Sequence, residues 1–437
     1  MMATLSRSSV LGTPKLEPVP ACKVALVGFG TVGSAVARLI YARNDEHPLE
    51  LTHVCNRHVA RKKVDWVPAD VQWTEDIEEV LASDAEVVVE LVGGVEPAHD
   101  WVRRALMSGK SVVTANKQLI AHHGAELIEL ARKHQQHLSF GACVAGGVPV
   151  LSGLHDGLAG DRLLKVTGIL NGTCNYILTK IESSGASFAQ ALQEAQQAGF
   201  AEADPTDDID GFDARAKLVI LAQIGLNAWL RPDQVASRSI RPLAQIDFDY
   251  AHELGCTIRQ LSRAERGSNV FFASVGPALV SQTSPFANIS GSQNLVMSTG
   301  QFGGETVFSG RGAGGNPTAV AVVSDLLHVV RYRSAGIAEP DRPAPAVYPV
   351  SRDFETPHYV RFMVADRPGI IAELSNIFAR HDLNIDAVLQ RPGCAKSALP
   401  FVVTFESCAW SKVEAALAAT AQCDFLQQPP VHMPILK

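Results

Sequence analysis

The chain has 437 residues, more than the roughly 100–200 of a typical domain, which predicts two to four domains. Hydrophobic residues make up 46% of it and charged residues 19%, a composition that excludes wholesale disorder, collagen and coiled coil. With 45 acidic against 38 basic residues the formal net charge is -7, so the chain lacks the basic surplus expected of a protein whose main activity is nucleic-acid binding.

Three features of the sequence predict a cytoplasmic protein. The eight cysteines are scattered, without the close pairs of a zinc site or a redox motif, which indicates reduced thiols. The most apolar stretch, 218–230, is shorter than the roughly 20 residues of a membrane span and contains Gln223 and Asn227, so no membrane association is expected. Residues 1–20 carry charges and no continuous apolar run, and they are predicted to form a disordered extension rather than a secretory signal.

The first domain, predicted over residues 21–148, begins with a strand and a glycine motif. The apolar run 23–27 leads into a turn that opens a helix, Gly28-Phe29-Gly30-Thr31-Val32-Gly33. In such a turn the first glycine permits the tight bend, the second lets a pyrophosphate approach, and the third lets helix and strand pack closely. Further apolar strands at 49–55, 86–92, 111–114 and 138–140 alternate with helices. The pattern predicts an α/β fold with a Rossmann-type, doubly wound parallel sheet that binds a dinucleotide.

The residues after the second strand bear on the choice of dinucleotide. An NAD enzyme commonly has an acidic residue there to bind the ribose 2′-hydroxyl, whereas this sequence has Asn56 and Arg57. These residues favour NADP, with NAD as the alternative. The alternative interpretation without a ligand is that they form the solvated, basic start of a helix. Val92 and Gly93, at the end of the strand 86–92, are included in the predicted cofactor site.

Two further domains follow. Helix-like segments mixed with strand-like runs at 165–170 and 270–275 predict an α+β domain over 149–309, and a glycine-rich turn at 311–317 opens a helix from 318 to about 330. A proline-rich stretch, 336–356, is predicted to be a linker. Residues 357–437 show a strand, helix, strand, strand, helix order with a last short strand, which predicts a ferredoxin-like unit.

Charged residues in the second domain suggest chemistry without deciding it. The segment 202–217 packs six carboxylates into sixteen residues, and an EF-hand is excluded because its twelfth position would be Lys217. Asp213 and Lys217 stand at i and i+4, which suits either a surface ion pair or a proton donor beside a carboxylate. Lys117 follows the strand 111–114, at the edge where open α/β sheets bind ligands. The irregular turn 144–149 suits a cation site or a domain boundary, and from the residues alone the boundary is favoured.

Four blocks together resemble the homoserine dehydrogenase family: G-F-G-T-V-G, T-A-N-K, the long segment from N-G-T-C-N-Y-I-L to D-G-F-D-A-R-A-K, and G-R-G-A-G-G-N-P-T-A. The resemblance implies that Lys217 donates the proton and that Lys117 lies beside substrate and nicotinamide. It implies that Glu202, Asp208 and Asp213 bind or orient the amino acid, that Gly199 and Gly312 approach the cofactor, and that residues 310–335 complete the first domain.

The family also binds a monovalent cation, sodium or potassium, largely through backbone carbonyls. The matching positions are Gly141, Val144, Gly146 and Val148. The family pattern commonly has Glu where this sequence has Gly141, so a carbonyl ligand survives there but a side-chain contribution is lost.

The resemblance implies NAD(P)H-dependent interconversion of L-aspartate 4-semialdehyde and L-homoserine, in threonine, methionine and isoleucine biosynthesis, by a homodimer or homotetramer. The run V-A-D-R-P-G-I-I-A-E-L at 364–374 resembles ACT domains, which often bind amino acids near the turn at Gly369. L-Threonine is the expected effector, and a purely oligomerising role is the alternative. A non-catalytic dinucleotide and amino-acid sensor is the competing function, against which the intact lysines and carboxylates argue.

Overall fold

The computed structural model describes residues 21–43, 48–336 and 347–436. The predicted N-terminal extension, 1–20, and residues 337–346 of the predicted linker lie outside the described residues. Within the described ranges, no helix combines the length and the apolar character needed to cross a membrane.

The first sheet is parallel and six-stranded, in the order β3-β2-β1-β4-β5-β6, so the predicted doubly wound fold is confirmed. Its strands are β1 (Cys22–Val27), β2 (Leu49–Cys55), β3 (Gln72–Thr74), β4 (Val87–Glu90), β5 (Ser111–Thr114) and β6 (Leu138–Ser139). Its helices are α1 (Thr31–Ala42), α2 (Val59–Lys62), α3 (Ile77–Ala82), α4 (Ala98–Met107) and α5 (Lys117–Lys133). The edge strand β3, only three residues long, was not predicted.

Apolar burial on both faces explains the continuous hydrophobic runs of this sheet. Every residue of β4 and β5 is buried, as a parallel sheet covered by helices requires. A later helix, α12 (Gly315–Ser334), packs against α1 and contributes Val322, Leu326 and Val329 to the core beneath the sheet. The chain therefore returns to the first sheet after crossing the second one.

The second sheet has eleven strands and extends into the C-terminal part of the chain. Its main path runs β12-β11-β7-β9-β10-β17-β14-β16-β15, with β8 and β13 also paired to β10. The strands before the predicted linker are β7 (Leu163–Ile169), β8 (Ala236–Ser237), β9 (Cys256–Arg266), β10 (Phe271–Ser281), β11 (Gln293–Gly300) and β12 (Gly304–Arg311). The sequence predicted β7 and part of β10 but neither β9 nor the hairpin of β11 and β12.

Helices cover one face of this sheet. They are α7 (Gly172–Ser184), α8 (Phe188–Gln197), α9 (Thr206–Ile209), α10 (Phe212–Leu226) and α11 (Gln245–Glu253). At the start of this domain, a single helical turn, α6 (Val150–Ser152), continues into a π-helical turn at Gly153–Gly157. Ten of the fifteen residues of α10 are buried, and the helix packs against α5 of the first domain.

The C-terminal part forms the predicted βαββαβ unit. Its elements are β13 (Val350–Ser351), β14 (Glu355–Val364), α13 (Ile370–Arg380), β15 (Ile385–Leu389), β16 (Leu399–Ala409), α14 (Trp410–Thr420) and β17 (Val431–Leu436). The short β13 lies within the predicted linker and pairs with β10. Because β17 also pairs with β10, the sheets of the second domain and the C-terminal unit are continuous.

Candidate active site

A cleft lies where the carboxyl edge of the first sheet meets α10. The first-domain side is formed by the end of β4, the start of α5 and the turn after β6, and the opposite side by Lys217 and the chain at 312–314. The lining includes Val32, Leu91, Val92, Gly93, Ala115, Asn116, Lys117, Cys143, Gly146, Lys217, Gly312, Ala313 and Gly314. Of the predicted site residues, the lining therefore contains both lysines and four of the cofactor positions, Val32, Val92, Gly93 and Gly312.

Asp213 joins two lysines at the base of this cleft. Its Oδ1 lies 2.8 Å from Nζ of Lys117, and its Oδ2 lies 2.7 Å from Nζ of Lys217. Asp213 and Lys217 meet because they stand one helical turn apart on α10. Lys117 is the first residue of α5, so its ion pair with Asp213 connects the first domain with the second.

The charges of this cluster stabilise one another. Burial favours the neutral carboxyl of Asp213, but the attraction and hydrogen bonds of Lys217 and Lys117 outweigh it and hold the pKa of Asp213 well below its usual range. Burial likewise favours the neutral amine of Lys117, but Asp213 outweighs it and raises the pKa of Lys117. The carboxylate is thus ionised and Lys117 is cationic at neutral pH.

Lys217 retains one hydrogen-bond donor for a ligand. Its ammonium group has three donors; one bonds Asp213 Oδ2 and a second bonds the carbonyl oxygen of Leu170 at 2.9 Å. Only 14% of the side chain is exposed, so the remaining N–H acts in a largely water-excluded position beside the cleft. A proton donor that is held in place by two fixed acceptors needs little reorganisation during a reaction.

Asn171 extends the cluster, and the sequence analysis did not identify it as a site residue. Its Nδ2 donates to Asp208 Oδ1 at 2.6 Å and to Asp213 Oδ2 at 2.9 Å, while its Oδ1 caps α7 by accepting from Cys174 N. Burial raises the pKa of Asp208, against the opposing hydrogen bond from Asn171. The available signal was an Asn directly after a strand and before a helix, a favoured capping position.

Glu202 and Gly199 lie apart from the lysine cluster, on the segment between α8 and α9. The side chain of Glu202 is exposed, and its backbone carbonyl accepts a hydrogen bond from Gln196 Nε2. Gly199 has a φ of +76°, with open space where a Cβ would stand. The segment is held near the cluster because Thr173 Oγ1 donates to the carbonyl of Phe200 at 2.7 Å.

The glycine motif has the close contacts that its spacing predicts. Gly28 has a φ of +105°, and a Cβ there would lie 2.9 Å from the carbonyl of Leu91. A Cβ on Gly33 would lie 2.1 Å from the carbonyl oxygen of Gly28. Gly30 has open space in the same position, at the start of α1. The loop therefore leaves room beside a helix N-terminus, the arrangement that accepts a pyrophosphate.

Two side chains fix the loops on either side of the glycine motif. Asn56 Oδ1 accepts a hydrogen bond from Phe29 N at 2.9 Å, and its neighbour Arg57 is exposed. Glu90, buried at the end of β4 and not identified from the sequence, accepts from Val92 N at 2.7 Å and from Gly93 N at 3.2 Å. Hydrogen bonds thus hold the predicted cofactor segment 56–57 against the glycine motif and the segment 92–93 against the end of β4.

The predicted cation turn packs against the returning chain. Gly146 has a φ of +46°, and a Cβ there would lie 2.6 Å from the carbonyl oxygen of Gly312. At the other end of the turn, Gly141 N donates to Asp325 Oδ2 at 2.7 Å, and a Cβ on Gly141 would lie 2.8 Å from Asp325 Oδ1. Burial raises the pKa of Asp325 to about 7. The carboxylate of α12 thus occupies the space that a side chain at position 141 would need.

Comparisons with protein families match three successive parts of the chain. The homoserine dehydrogenase family model matches residues 149–327, the model of the homoserine dehydrogenase NAD-binding domain matches residues 28–141, and the ACT domain model matches residues 358–422. These ranges correspond to the second domain, the first sheet and the C-terminal unit.

Whole-chain comparisons agree. A homoserine dehydrogenase of Mycobacterium tuberculosis is 42% identical over 381 residues, covering 84% of this chain and 86% of the relative. The crystal structure of a homoserine dehydrogenase from Thiobacillus denitrificans superposes with a TM-score of 0.87 at 32% identity, covering 95% of this chain and 98% of the other. A hyperthermophilic archaeal homoserine dehydrogenase mutant in complex with NADPH superposes with a TM-score of 0.62 at 26% identity, over 71% and 98% of the two chains. The chain belongs to the homoserine dehydrogenase family and is an NAD(P)-dependent oxidoreductase with a C-terminal ACT domain.

Proposed function

We propose that the chain catalyses the reversible reduction of L-aspartate 4-semialdehyde to L-homoserine, a step in threonine, methionine and isoleucine biosynthesis. The observation that carries this proposal is the Lys117–Asp213–Lys217 cluster, which faces the same cleft as the dinucleotide loops. A dinucleotide and amino-acid sensor would have no use for a buried, oriented proton donor there.

Each residue of the cluster has a distinct task in this reaction. The bound coenzyme supplies a hydride to the carbonyl carbon. Lys217, with its one uncommitted N–H, stabilises negative charge on the carbonyl oxygen and donates the proton to it. Lys117 adds positive charge at the same centre, and Asp213 orients both lysines because each of its oxygens pairs with one of them.

We assign the substrate's ammonium group to the acidic residues beside the lysines. Asp208 is half-buried and fixed through one oxygen by Asn171, and Glu202 is exposed on the nearby segment held by Thr173. The ammonium group is what distinguishes this substrate from a simple aldehyde, so carboxylates at this end of the cleft would provide selectivity.

NADP is the preferred coenzyme in this proposal, with NAD as the less effective one. No acidic residue follows β2 to bind a ribose 2′-hydroxyl, and the exposed Arg57 is available for a 2′-phosphate. The structure of the similar archaeal homoserine dehydrogenase mutant is of a complex with NADPH. Gly28, Gly30 and Gly33 would hold the pyrophosphate of the coenzyme. Gly199 and Gly312 would lie against other parts of the same coenzyme.

Replacing Arg57 by alanine is expected to lower kcat/KM for NADPH by about 10–100-fold, because a hydrogen bond to a charged phosphate is lost. The value for NADH should change little, since NADH lacks that phosphate. Parallel initial-rate measurements with the two coenzymes test this, and the NADH series serves as the control within the same variant. An equal loss with both coenzymes would contradict the role given to Arg57.

We also propose a sodium or potassium ion at the turn 141–148. Carbonyl oxygens suit such an ion, and among the described residues no hydrogen-bond donor is recorded on the carbonyls of Val144 and Gly146. The carbonyl of Val148 accepts from Val150 N, and that of Gly141 would complete the set. These residues would hold the ion near Gly312, where the chain returns to the first domain.

L-Threonine is the proposed effector of the ACT domain. A cleft at the start of α13 is lined by Val364, Asp366, Arg367, Gly369, Ile370, Ile371, Ala372, Gln390, Leu399 and Phe401. The carboxylate of an amino acid would suit the N–H groups at this helix start, and its ammonium group would suit Asp366.

Millimolar L-threonine is therefore expected to lower the initial rate of the enzyme, and Asp366→Asn is expected to weaken this inhibition by about tenfold or more, since a charged hydrogen bond is lost. Rate measurements with L-threonine, and with D-threonine as the control, test this. Unchanged activity in millimolar L-threonine would leave this domain with an oligomerising role.

We propose a homodimer or homotetramer and a cytoplasmic location. The hairpin of β11 and β12 exposes Phe302 and Val307 at the end of the large sheet, as an interface between subunits would. All eight cysteines are free thiols, which suits a reducing compartment.

A further inference from the structure

A group of metal-binding side chains lies between α4 and α5, outside the active-site cleft. His99 on α4 and His123 and Glu126 on α5 each place one ligand atom within 4.8 Å of the other two. From this arrangement we propose that these three residues bind a divalent transition-metal ion, with zinc as the representative member of the class. Neither the glycine motif nor the lysine cluster involves them.

The distances suit coordination of one ion. Glu126 Oε2 lies 3.2 Å from His99 Nε2 and 3.5 Å from His123 Nδ1. Two ligand atoms about 2.0–2.2 Å from a tetrahedral zinc ion are separated by about 3.3–3.6 Å. Both imidazole nitrogens therefore stand at ligand separation from the same carboxylate oxygen, and small rotations would close the set around an ion.

The surroundings of the three residues resemble those of a metal site. Glu96 Oε1 lies 3.4 Å from His99 Nδ1, the ring nitrogen that the metal would leave free, and a carboxylate there orients a ligating histidine. Arg103 Nε lies 3.1 Å from Glu126 Oε1, the other oxygen of the same carboxylate. Because Glu126 is about half exposed, a water molecule can complete the tetrahedron.

The two imidazole rings also lie close together. The centroids of His99 and His123 are 3.9 Å apart with an interplanar angle of 23°. A metal ion binds imidazole in its neutral form, so ligation by both rings places no charge on either of them.

The proposed ion would connect two helices that begin at the cleft. The loop with Val92 and Gly93 leads into α4, and α5 begins at Lys117. Asn116 Nδ2 donates to the carbonyl of Gly94 at 2.6 Å, and the metal would strengthen the contacts of α4 with Glu126 about two turns further along α5. The inference is independent of the substrate proposed above.

Calorimetric titration of the untagged, chelator-treated protein with zinc chloride tests the site. The wild-type chain is expected to bind one equivalent more than the His99→Ala/His123→Ala double variant. His123→Ala alone is expected to weaken this binding by more than about 100-fold, and Glu96→Gln by about 10–100-fold, as for an outer-shell partner. His122→Ala is the matched control, because His122 neighbours His123 but its Nδ1 faces the carbonyl of Gln118.

Thermal unfolding provides a second readout that needs no substrate. Zinc should raise the Tm of the wild type and of His122→Ala by about 2–4 °C and leave the Tm of the double variant unchanged. Equal zinc stoichiometry in the wild type and the double variant, or an equal loss in His122→Ala, would overturn the proposal. Far-UV circular dichroism of each zinc-free variant checks that the substitutions leave the fold intact.

Discussion

Lys217→Ala is expected to lower kcat by about 10²–10⁴-fold, the range for loss of a positioned proton donor. The lysine is held by Asp213 Oδ2 at 2.7 Å and by the carbonyl of Leu170 at 2.9 Å, so its remaining N–H has a fixed direction. Alanine removes both the proton and the positive charge that faces the developing alkoxide. Affinity for NADPH should change much less, because the glycine motif and the segment after β2 provide most coenzyme contacts in the proposed complex.

Two measurements separate this role from a structural one. Steady-state rates give kcat, and NADPH fluorescence titration gives the Kd of the coenzyme for the same variant. Lys180→Ala is the matched control, since Lys180 pairs with Glu194 at 2.8 Å on the exposed side of α7 and should leave kcat within about twofold. A near-normal kcat in Lys217→Ala would remove this lysine from the mechanism.

Asp213→Asn is expected to affect both stability and activity. The substitution keeps the shape of the side chain but leaves Lys117 and Lys217 without the carboxylate that each contacts. Removing one partner of a buried ion pair costs about 3–5 kcal/mol, so the free energy of opening of α10 should fall by that amount. The kcat should also fall strongly, because the orientation of Lys217 depends on Asp213.

Hydrogen exchange of the α10 amides measures the stability change, and initial rates measure the change in kcat. Asp207→Asn is the control, because Asp207 is exposed in the same acidic segment. If Asp213→Asn were as stable and as active as the control, the cluster would have no role in holding the site.

The pH dependence of this stability difference has a defined sign. The pKa of Asp213 is depressed in the folded state, so its contribution is present above the unfolded pKa of about 3.9 and is lost as the pH falls through the folded value. The pKa of Lys117 is raised, so its contribution is present below the unfolded pKa of about 10.4 and is lost as the pH rises through the folded value. The difference between wild type and Asp213→Asn should therefore be constant from about pH 5 to 9.

Local sequence rules predicted the parts of the fold whose contacts are local or repetitive. The spacing of Gly28 and Gly33 indicated a close approach of helix and strand, and the structure shows it. Asp213 and Lys217 meet because an α-helix aligns residues four apart. The apolar runs that became β1, β4 and β5 were recognisable because both of their faces are buried.

The unpredicted strands contain polar residues whose partners are far away in sequence. In β9, Arg259 is buried and pairs with Glu182 of α7 at 2.8 Å. A charged residue in the sequence argues against a buried strand, so β9 was not predicted. In β12 successive side chains alternate between half-buried and exposed, which leaves no apolar face in the sequence GETVFSGR. Such elements are stabilised by tertiary pairing, which a local pattern does not contain.

The same reason explains which site residues were missed. Asn171 is 42 residues from Asp213, and Asp325 is 184 residues from Gly141, so neither hydrogen bond follows from spacing. Lys117 was placed near the site by its position after a parallel strand, but its ion pair with Asp213 required the packing of α5 against α10. The family resemblance implied roles for Lys117, Asp213 and Lys217 but identified neither Asn171 nor Asp325.

The most direct measurement of the proposed function is the initial rate of NADPH oxidation with L-aspartate 4-semialdehyde, in parallel with NADH. We expect oxidation that depends on the semialdehyde, is faster with NADPH than with NADH, and is lost in Lys217→Ala. A folded chain that binds NADPH but oxidises neither coenzyme in the presence of the semialdehyde would contradict the assignment and favour the sensor function.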